Sequence, residues 1–375
     1  MTEDQIVGGA IPDEPDERDF VFGATKPFPF WIEFDIEMLL GFRATCKDQD
    51  EFFGEYGRAG WCVDRYLEIK KICKEKEIKP FKIPPKNQGT QMSCTGQASS
   101  QYLSVLNFIE TGVWVEFSAH DIYAAINLGE GKGAKLRDAM NRCVDPGVAT
   151  EELVPSYESF MTDHGLVRNP LSEHQVCQKP EETDEIKKIR KIMASKEYRT
   201  VTKQSTEMMD AVAWAIFEGF GCFFGVVGES NGTWMSEYPQ PPKKNAWGHA
   251  LYAGKCGIKN GKPYIEHINS WGNGTGIDGW QKLDATYFLT IVEGRNAVFN
   301  PWTLIDKKNE SMTNSNVVIV KDANGSAVGA FIKFKDEAAV KPVCDTLGKE
   351  VPYNADGTIN WSAFIENEAS FKKPL

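Results

Sequence analysis

The chain has 375 residues, 41% hydrophobic and 25% charged, with a net charge of -11. This is globular usage, long enough for one catalytic-sized domain plus a smaller module. The acid excess argues against nucleic acid as a main partner, because affinity for a phosphate backbone is carried by clustered Lys and Arg. No run reaches the ~18 apolar residues of a membrane span, and Met1 to Phe20 has no signal-peptide core, so the expectation is a cytoplasmic protein with no membrane partner.

Residues 1–80 read as an extended lead followed by short helical pieces, with Val63, Tyr66, Ile69 and Cys73 at roughly helical spacing. Pro80, Pro84 and Pro85 then stop any helix. The stretch "NQGTQMSCTGQASS", Asn87 to Ser100, places Cys94 at the head of a helix whose apolar positions Ala98, Tyr102, Val105, Leu106 and Ile109 follow the i, i+3, i+4 rule up to Gly112. "AHDIYAAINLGE", "KLRDAMNRCV" and "EETDEIKKIRKIMASK" read as further helices, as does "TEMMDAVAWAIFEGF". At Gly221 the pattern changes to the short strand-like runs "CFFGVV", "HALYAGKC" and "KPYIEHIN". A helical first half and a β-rich second half give an α+β class. Asp306 to Ser315, "DKKNESMTNS", reads as a linker, and two apolar runs around Asn324-Gly325 beyond it read as a hairpin. The expected division is an N-terminal extension over 1–80, a catalytic domain over 81–305, the linker over 306–315 and a small β-containing module over 316–375.

Nine cysteines, an odd number with no C-x-x-C pair, fit reduced thiols better than a disulfide framework or a zinc site, so no metal and no cofactor are expected. Cys94 stands out among them, because unsatisfied N–H groups and the dipole at a helix N-terminus favour a thiolate. "WGHALYAGKCGI" puts His249 at the head of a strand, and "YIEHINSWGNGTGIDGW" puts Asn269 at the end of the next. A base on one strand and an amide on its neighbour can share a hydrogen bond that fixes the imidazole while its other nitrogen faces a thiol.

In these residues the sequence resembles the papain-like cysteine peptidases, over roughly residues 11 to 305 and most closely their bacterial members. "QGTQMSCT" fits the nucleophile motif, with Gln88 six residues before Cys94 where the family has its oxyanion-hole glutamine. "GHA" fits the catalytic histidine motif at His249, and "NSWG", Asn269 to Gly272, fits the third-member motif. The resemblance implies a two-lobed fold, a helical lobe with Cys94 and a β-barrel lobe with His249 and Asn269, and cysteine endopeptidase activity on a protein or peptide substrate through a thioester. It further implies that Gly131, Gly133 and Trp271 line the substrate cleft, although a plain turn also accounts for the two glycines. The C-terminal module would tether the enzyme to a partner.

Three positions depart from the family pattern. Thr95 replaces the tryptophan after the nucleophile, Gln91 replaces a disulfide-forming cysteine, and Thr275 replaces the second tryptophan of the third-member motif. Gln91 agrees with a reduced compartment, while Thr95 and Thr275 keep open a catalytically idle binding or structural protein on a peptidase fold; a cell-wall peptide amidase or peptidase is a third reading, over which the Asn-Ser-Trp motif at Asn269 favours a protein peptidase. His267 competes with His249 as the base, since it shares a strand face with Asn269. Residues 1–80 are either a propeptide lying in the cleft or part of the mature domain. "IVGGA", Ile6 to Ala10, mimics the N-terminus of trypsin-like enzymes, but no G-D-S-G-G segment accompanies it.

Overall fold

The computed structural model describes residues 8–16, 19–54, 57–162, 165–203, 207–307, 316–321 and 327–333. The chain divides into two compact units, Met1–Lys308 and Asn309–Leu375. In the second unit the described residues form an antiparallel pair, Asn316–Lys321 with Ala327–Lys333. Asn324 and Gly325, most of the expected linker, and the tail containing Trp361 and Phe364 lie outside the described residues.

The first unit is built on an eight-stranded sheet. Its order is Trp280–Asp284, Lys262–Ile268, Trp247–Lys259, Cys222–Gly228, Val298–Lys307, Ser195–Lys203 and Val21–Ala24, with Phe34–Asp35 also paired to Trp247–Lys259. The last strand, Val21–Ala24, runs parallel to its neighbour, while the other pairings are antiparallel. With the helices packed on this sheet, the unit has the mixed α+β class expected from the sequence.

The helix Cys94–Thr111 is buried along almost its full length. Its serines bond back to the helix: Ser99 Oγ donates to Thr95 O at 2.6 Å and Ser104 Oγ to Ser100 O at 3.0 Å. Tyr102 reaches Gly219 O and Gly221 O at 2.9 and 2.7 Å. A helix rich in polar residues can therefore sit in a core, with Thr95 Oγ1 and Gln101 Nε2 left without a hydrogen-bond partner among the described residues. Gly96 is required where the helix Ala119–Ile126 crosses, since a Cβ would stand 2.6 Å from Ala119 O. Gly112 ends the helix in the left-handed conformation at φ 75°.

The region read as helical also carries strands that local pattern did not show. Tyr157–Thr162 and Gly165–Pro170 form a hairpin, and Ser195–Lys203 leaves the helix Asp184–Met193 after one residue to enter the main sheet. Its partners lie some 100 residues away in sequence, so the pairing energy is non-local.

Residues 20–80 pack as part of this unit. Val21–Ala24 edges the sheet, and Glu37, only 2% exposed, accepts from Ile83 N at 2.8 Å and from Lys255 Nζ at 2.7 Å. Arg43 donates to Ile109 O at 2.7 Å and Glu110 O at 3.1 Å, so its charge caps the C-terminal carbonyls of the Cys94 helix. Among the described residues no helix is long and apolar enough to cross a membrane.

Candidate active site

Cys94 is the first residue of its helix, and no side chain caps that end. The loop before it is held by amides. Gln91 Nε2 donates to Leu171 O at 2.5 Å and Gln91 Oε1 accepts from Ser93 Oγ at 2.6 Å, so the residue in the place of the family's cysteine braces the loop by hydrogen bonds. Gln88 N donates to Ser270 O at 2.8 Å, and Ser270 Oγ donates to Gln88 Oε1 at 2.6 Å. Gln88 Nε2 gives one N–H to Gln91 O at 2.6 Å, which leaves its second N–H for another acceptor. An antiparallel bridge from Asn87 to Trp271 joins the loop to the Asn269 segment.

His249 lies on the strand Trp247–Lys259, in register with Val226, and Asn269 follows the strand Lys262–Ile268. His249 Nε2 is 2.9 Å from Asn269 Oδ1, while His249 Nδ1 has no protein partner. The backbone N–H of Ala250, the residue after His249, is near enough to the Cys94 thiol to pull its pKa down. The fold thus assembles Gln88, Cys94, His249 and Asn269 from three separate stretches of chain. Trp271 stacks on the His249 ring, centroids 4.4 Å apart and planes 22° apart. Trp234 and Trp247 approach Trp271 at 5.9 and 6.0 Å, and this tryptophan cluster encloses the His–Asn pair where Thr275 offers no ring.

His267 is fully buried in register with Gln281, and neither ring nitrogen has a hydrogen-bond partner. The histidine bonded to Asn269 is His249. His120 bridges Pro155 O and Gln178 O, and His174 pairs with Glu130. Gly131 N–H donates to Glu173 Oε1 at 3.1 Å, whereas Gly133 faces a segment that covers the site.

That segment is Gly8–Ile11. Ala10–Ile11 pairs in parallel with Ala134–Lys135, and Ala134 N donates to Gly9 O at 2.8 Å. The Gly9 N–H is near enough to the Cys94 thiol to pull its pKa down. The fit requires glycine: a Cβ on Gly9 would stand 1.9 Å from Met92 O, one on Gly8 2.2 Å from Gly248 O, and one on Gly133 2.0 Å from Gly9 O. Asp13 anchors the segment. Its carboxylate accepts from Arg137 N at 3.1 and 3.0 Å and from Trp302 Nε1 at 3.2 Å, and Arg137 is tied to Asp19.

With this cover in place Cys94 and His249 expose none of their surface. Burial pushes the Cys94 thiol up to about 11, against the pull of the N–H groups on its sulfur. Burial likewise lowers His249 to about 4, against its bond to Asn269. The covered pair is neutral thiol and neutral imidazole at pH 7. Among the described residues no group of three His, Cys, Asp or Glu could hold a metal ion.

The model of the papain family cysteine proteases matches residues 74–287. The chain belongs to the papain family of cysteine proteases. No curated protein matches its sequence. Among solved structures, xylellain, a cysteine protease from Xylella fastidiosa, is similar at 18% identity and a TM-score of 0.53, over 80% of this chain and 96% of that one. The bromelain protease from Ananas comosus, in complex with the E64 inhibitor, matches at 17% identity and 0.45, over 60% and 94%. The Carica candamarcensis cysteine protease CMS1MS2 matches at 17% and 0.42, over 60% and 93%. This papain-family member is a cysteine peptidase with the papain-like fold, and its substrates are peptides or proteins.

Sequence reading alone missed Gln281, which bonds Asn269, and the enclosing Trp234 and Trp247. It also gave no role to Gly8 and Gly9. Paired glycines near the start of the chain were the only signal for the last.

Proposed function

We propose that this papain-family member is a cysteine endopeptidase with Cys94 as nucleophile, His249 as base and acid, Asn269 as the residue that orients His249, and Gln88 as an oxyanion donor. Cys94 gives its proton to His249 and its sulfur attacks the carbonyl carbon of a peptide bond. His249 then protonates the leaving amine as the C–N bond breaks. Water, giving a proton to His249, attacks the thioester; the carboxylic acid leaves and the thiol regains its proton. The free N–H of Gln88 Nε2 and the Cys94 N–H hold the oxyanion at both stages. No cofactor takes part.

The observation that carries this reading is the arrangement at His249: Nε2 bonded to Asn269 and Nδ1 without a partner, on the strand whose next residue, Ala250, has its N–H near enough to the Cys94 thiol to pull its pKa down. The covered form is a resting form, and turnover requires Gly8–Ile11 to move off or be removed. Once water reaches the site, the desolvation that raises Cys94 and lowers His249 is relieved, and the helix N-terminus favours the thiolate. Residues 12–80 belong to the working enzyme. The free thiols of the described cysteines support a reducing, cytoplasmic location. To the separate unit from Asn309 on we assign the tethering role.

The covered thiol is also what favours an idle scaffold as the second reading. Intact-protein mass spectrometry after treatment with a small epoxide inhibitor separates the two. One adduct at Cys94, absent in Cys94→Ala and much slower in His249→Ala, is the expected result. Slow labelling spread over several cysteines, with no dependence on His249, would count against a peptidase. Casein against wall-peptide fragments as substrates distinguishes it from a cell-wall amidase.

A further inference from the structure

The geometry points to Gln281 as a positioning residue that sets, through Asn269, which nitrogen of His249 carries its proton; its consequence for turnover rests on His249 being the base. Gln281 lies on the strand Trp280–Asp284 with no exposed surface. Its Nε2 is 2.7 Å from Trp234 O and 2.8 Å from Ser236 O. Carbonyl oxygens only accept, so these two contacts fix the amide with its NH2 end toward them and use both N–H groups. The other end, Oε1, can only accept, and 2.8 Å away it meets Asn269 Nδ2.

The same logic passes to Asn269. With Nδ2 committed to Gln281, Oδ1 faces the opposite way, where it accepts from Ser270 N at 2.7 Å and lies 2.9 Å from His249 Nε2. An amide oxygen bonds Nε2 only if Nε2 bears hydrogen. In a neutral imidazole Nδ1 then keeps its lone pair, and Nδ1 is the ring nitrogen without a protein partner. Two backbone carbonyls of the Trp234–Ser236 loop therefore dictate, across two amide side chains, that Nδ1 is the basic nitrogen. Ser270 N–H braces the oxygen end of Asn269, and among the described residues Gln281 is the partner of its NH2 end.

The arrangement has a reason in energy. A buried amide NH2 with no acceptor keeps its full desolvation penalty, and the side chain rotates to avoid it. Gln281 removes the motive for that rotation. Its loss exposes His249 Nε2 to the NH2 end of Asn269, which stabilises the wrong tautomer.

The test is 15N NMR of the full chain labelled at histidine, with His249 signals identified by their loss in His249→Ala. At neutral pH the wild type should show a protonated, pyrrole-type Nε2 and an unprotonated, pyridine-type Nδ1. In Gln281→Met, which keeps the buried volume but neither end of the amide, both signals should move toward the average of the two tautomers. Epoxide labelling of Cys94 should slow by about tenfold or more, within the ~10²–10⁴ that a positioned base supplies. Asn269→Asp in the Gln281→Met background offers His249 an oxygen in either orientation, so the Nε2–H tautomer should return. A folded Gln281→Met with unchanged tautomer and labelling rate would mean that Ser270 N–H suffices, and would overturn the proposal. A wild type with the proton on Nδ1 would overturn it even if Gln281→Met did not fold. If the tautomer responds as stated but no form of the protein is ever labelled, the peptidase mechanism fails and the role of Gln281 stands.

Discussion

Replacing Gly9 by valine should uncover Cys94. A Cβ at position 9 would stand 1.9 Å from Met92 O, and because the backbone fixes both the Cβ and that oxygen, no change of rotamer relieves it. The segment must lift, which breaks the bond from Ala134 N to Gly9 O and the contact of Gly9 N–H with the Cys94 sulfur. Each is worth about 1 kcal/mol. Ala10, now 7% exposed, is also returned to water, at about another 1 kcal/mol for a methyl group with its neighbouring surface. The sum of about 3 kcal/mol corresponds to a roughly 10²-fold larger open population. If opening limits access, the second-order rate of Cys94 alkylation by a small epoxide should rise about 10²-fold. The thermal midpoint should fall by no more than about 2–4 °C per kcal/mol of closure lost, with unfolding still cooperative, since the core elsewhere is untouched. An alkylation rate equal to wild type in a folded Gly9→Val protein would refute the reasoning, because it would show that the segment does not guard the thiol.

In this uncovered background Gln88→Ala should lower kcat by about 10²–10³ with a smaller effect on KM, the signature of a lost oxyanion donor, as read by steady-state peptide hydrolysis. Burial holds His249 at about 4 and His267 at about 3, both depressed, so the unfolded chain, near 6.5, binds protons that the covered fold refuses. Stability is then full above about pH 6.5 and falls as pH drops toward the folded values, by about 2 kcal/mol per histidine at pH 5. Thermal unfolding from pH 8 to 4 should show this loss, and His267→Leu should remove about half of it; a flat profile would contradict the burial of both rings. Arg43→Ala leaves the Ile109 and Glu110 carbonyls without their charged partner and should cost about 2–3 kcal/mol in urea denaturation, with m unchanged.

The elements that carry Cys94 and His249 are legible locally. Helical spacing from Ala98 to Ile109 and the stop at Gly112 define the first, and the apolar run after His249 defines the second, because each pattern reflects a face that must be buried whatever lies against it. The motifs around Gln88, Cys94, His249 and Asn269 mark the family for the same reason: thiol, imidazole and amide chemistry permits few substitutes. Ser195–Lys203 was not legible as a strand, since its pairing with Val298–Lys307 is a contact between distant segments that no window of sequence contains. Thr275 stands where the family has a second motif tryptophan, and only the fold brings Trp234 and Trp247 against Trp271. Gln281 is one more polar residue on a short strand until the carbonyls of Trp234 and Ser236 fix its amide. Gly8 and Gly9 have no periodicity to betray them, because their task is to carry no side chain where two backbones touch. Motif and local pattern are enough to read the family and the elements that carry its candidate residues; the bond between Asn269 and His249 and the cover over Cys94 come from the fold, since both depend on hydrogen bonds and close approaches between residues far apart in the chain.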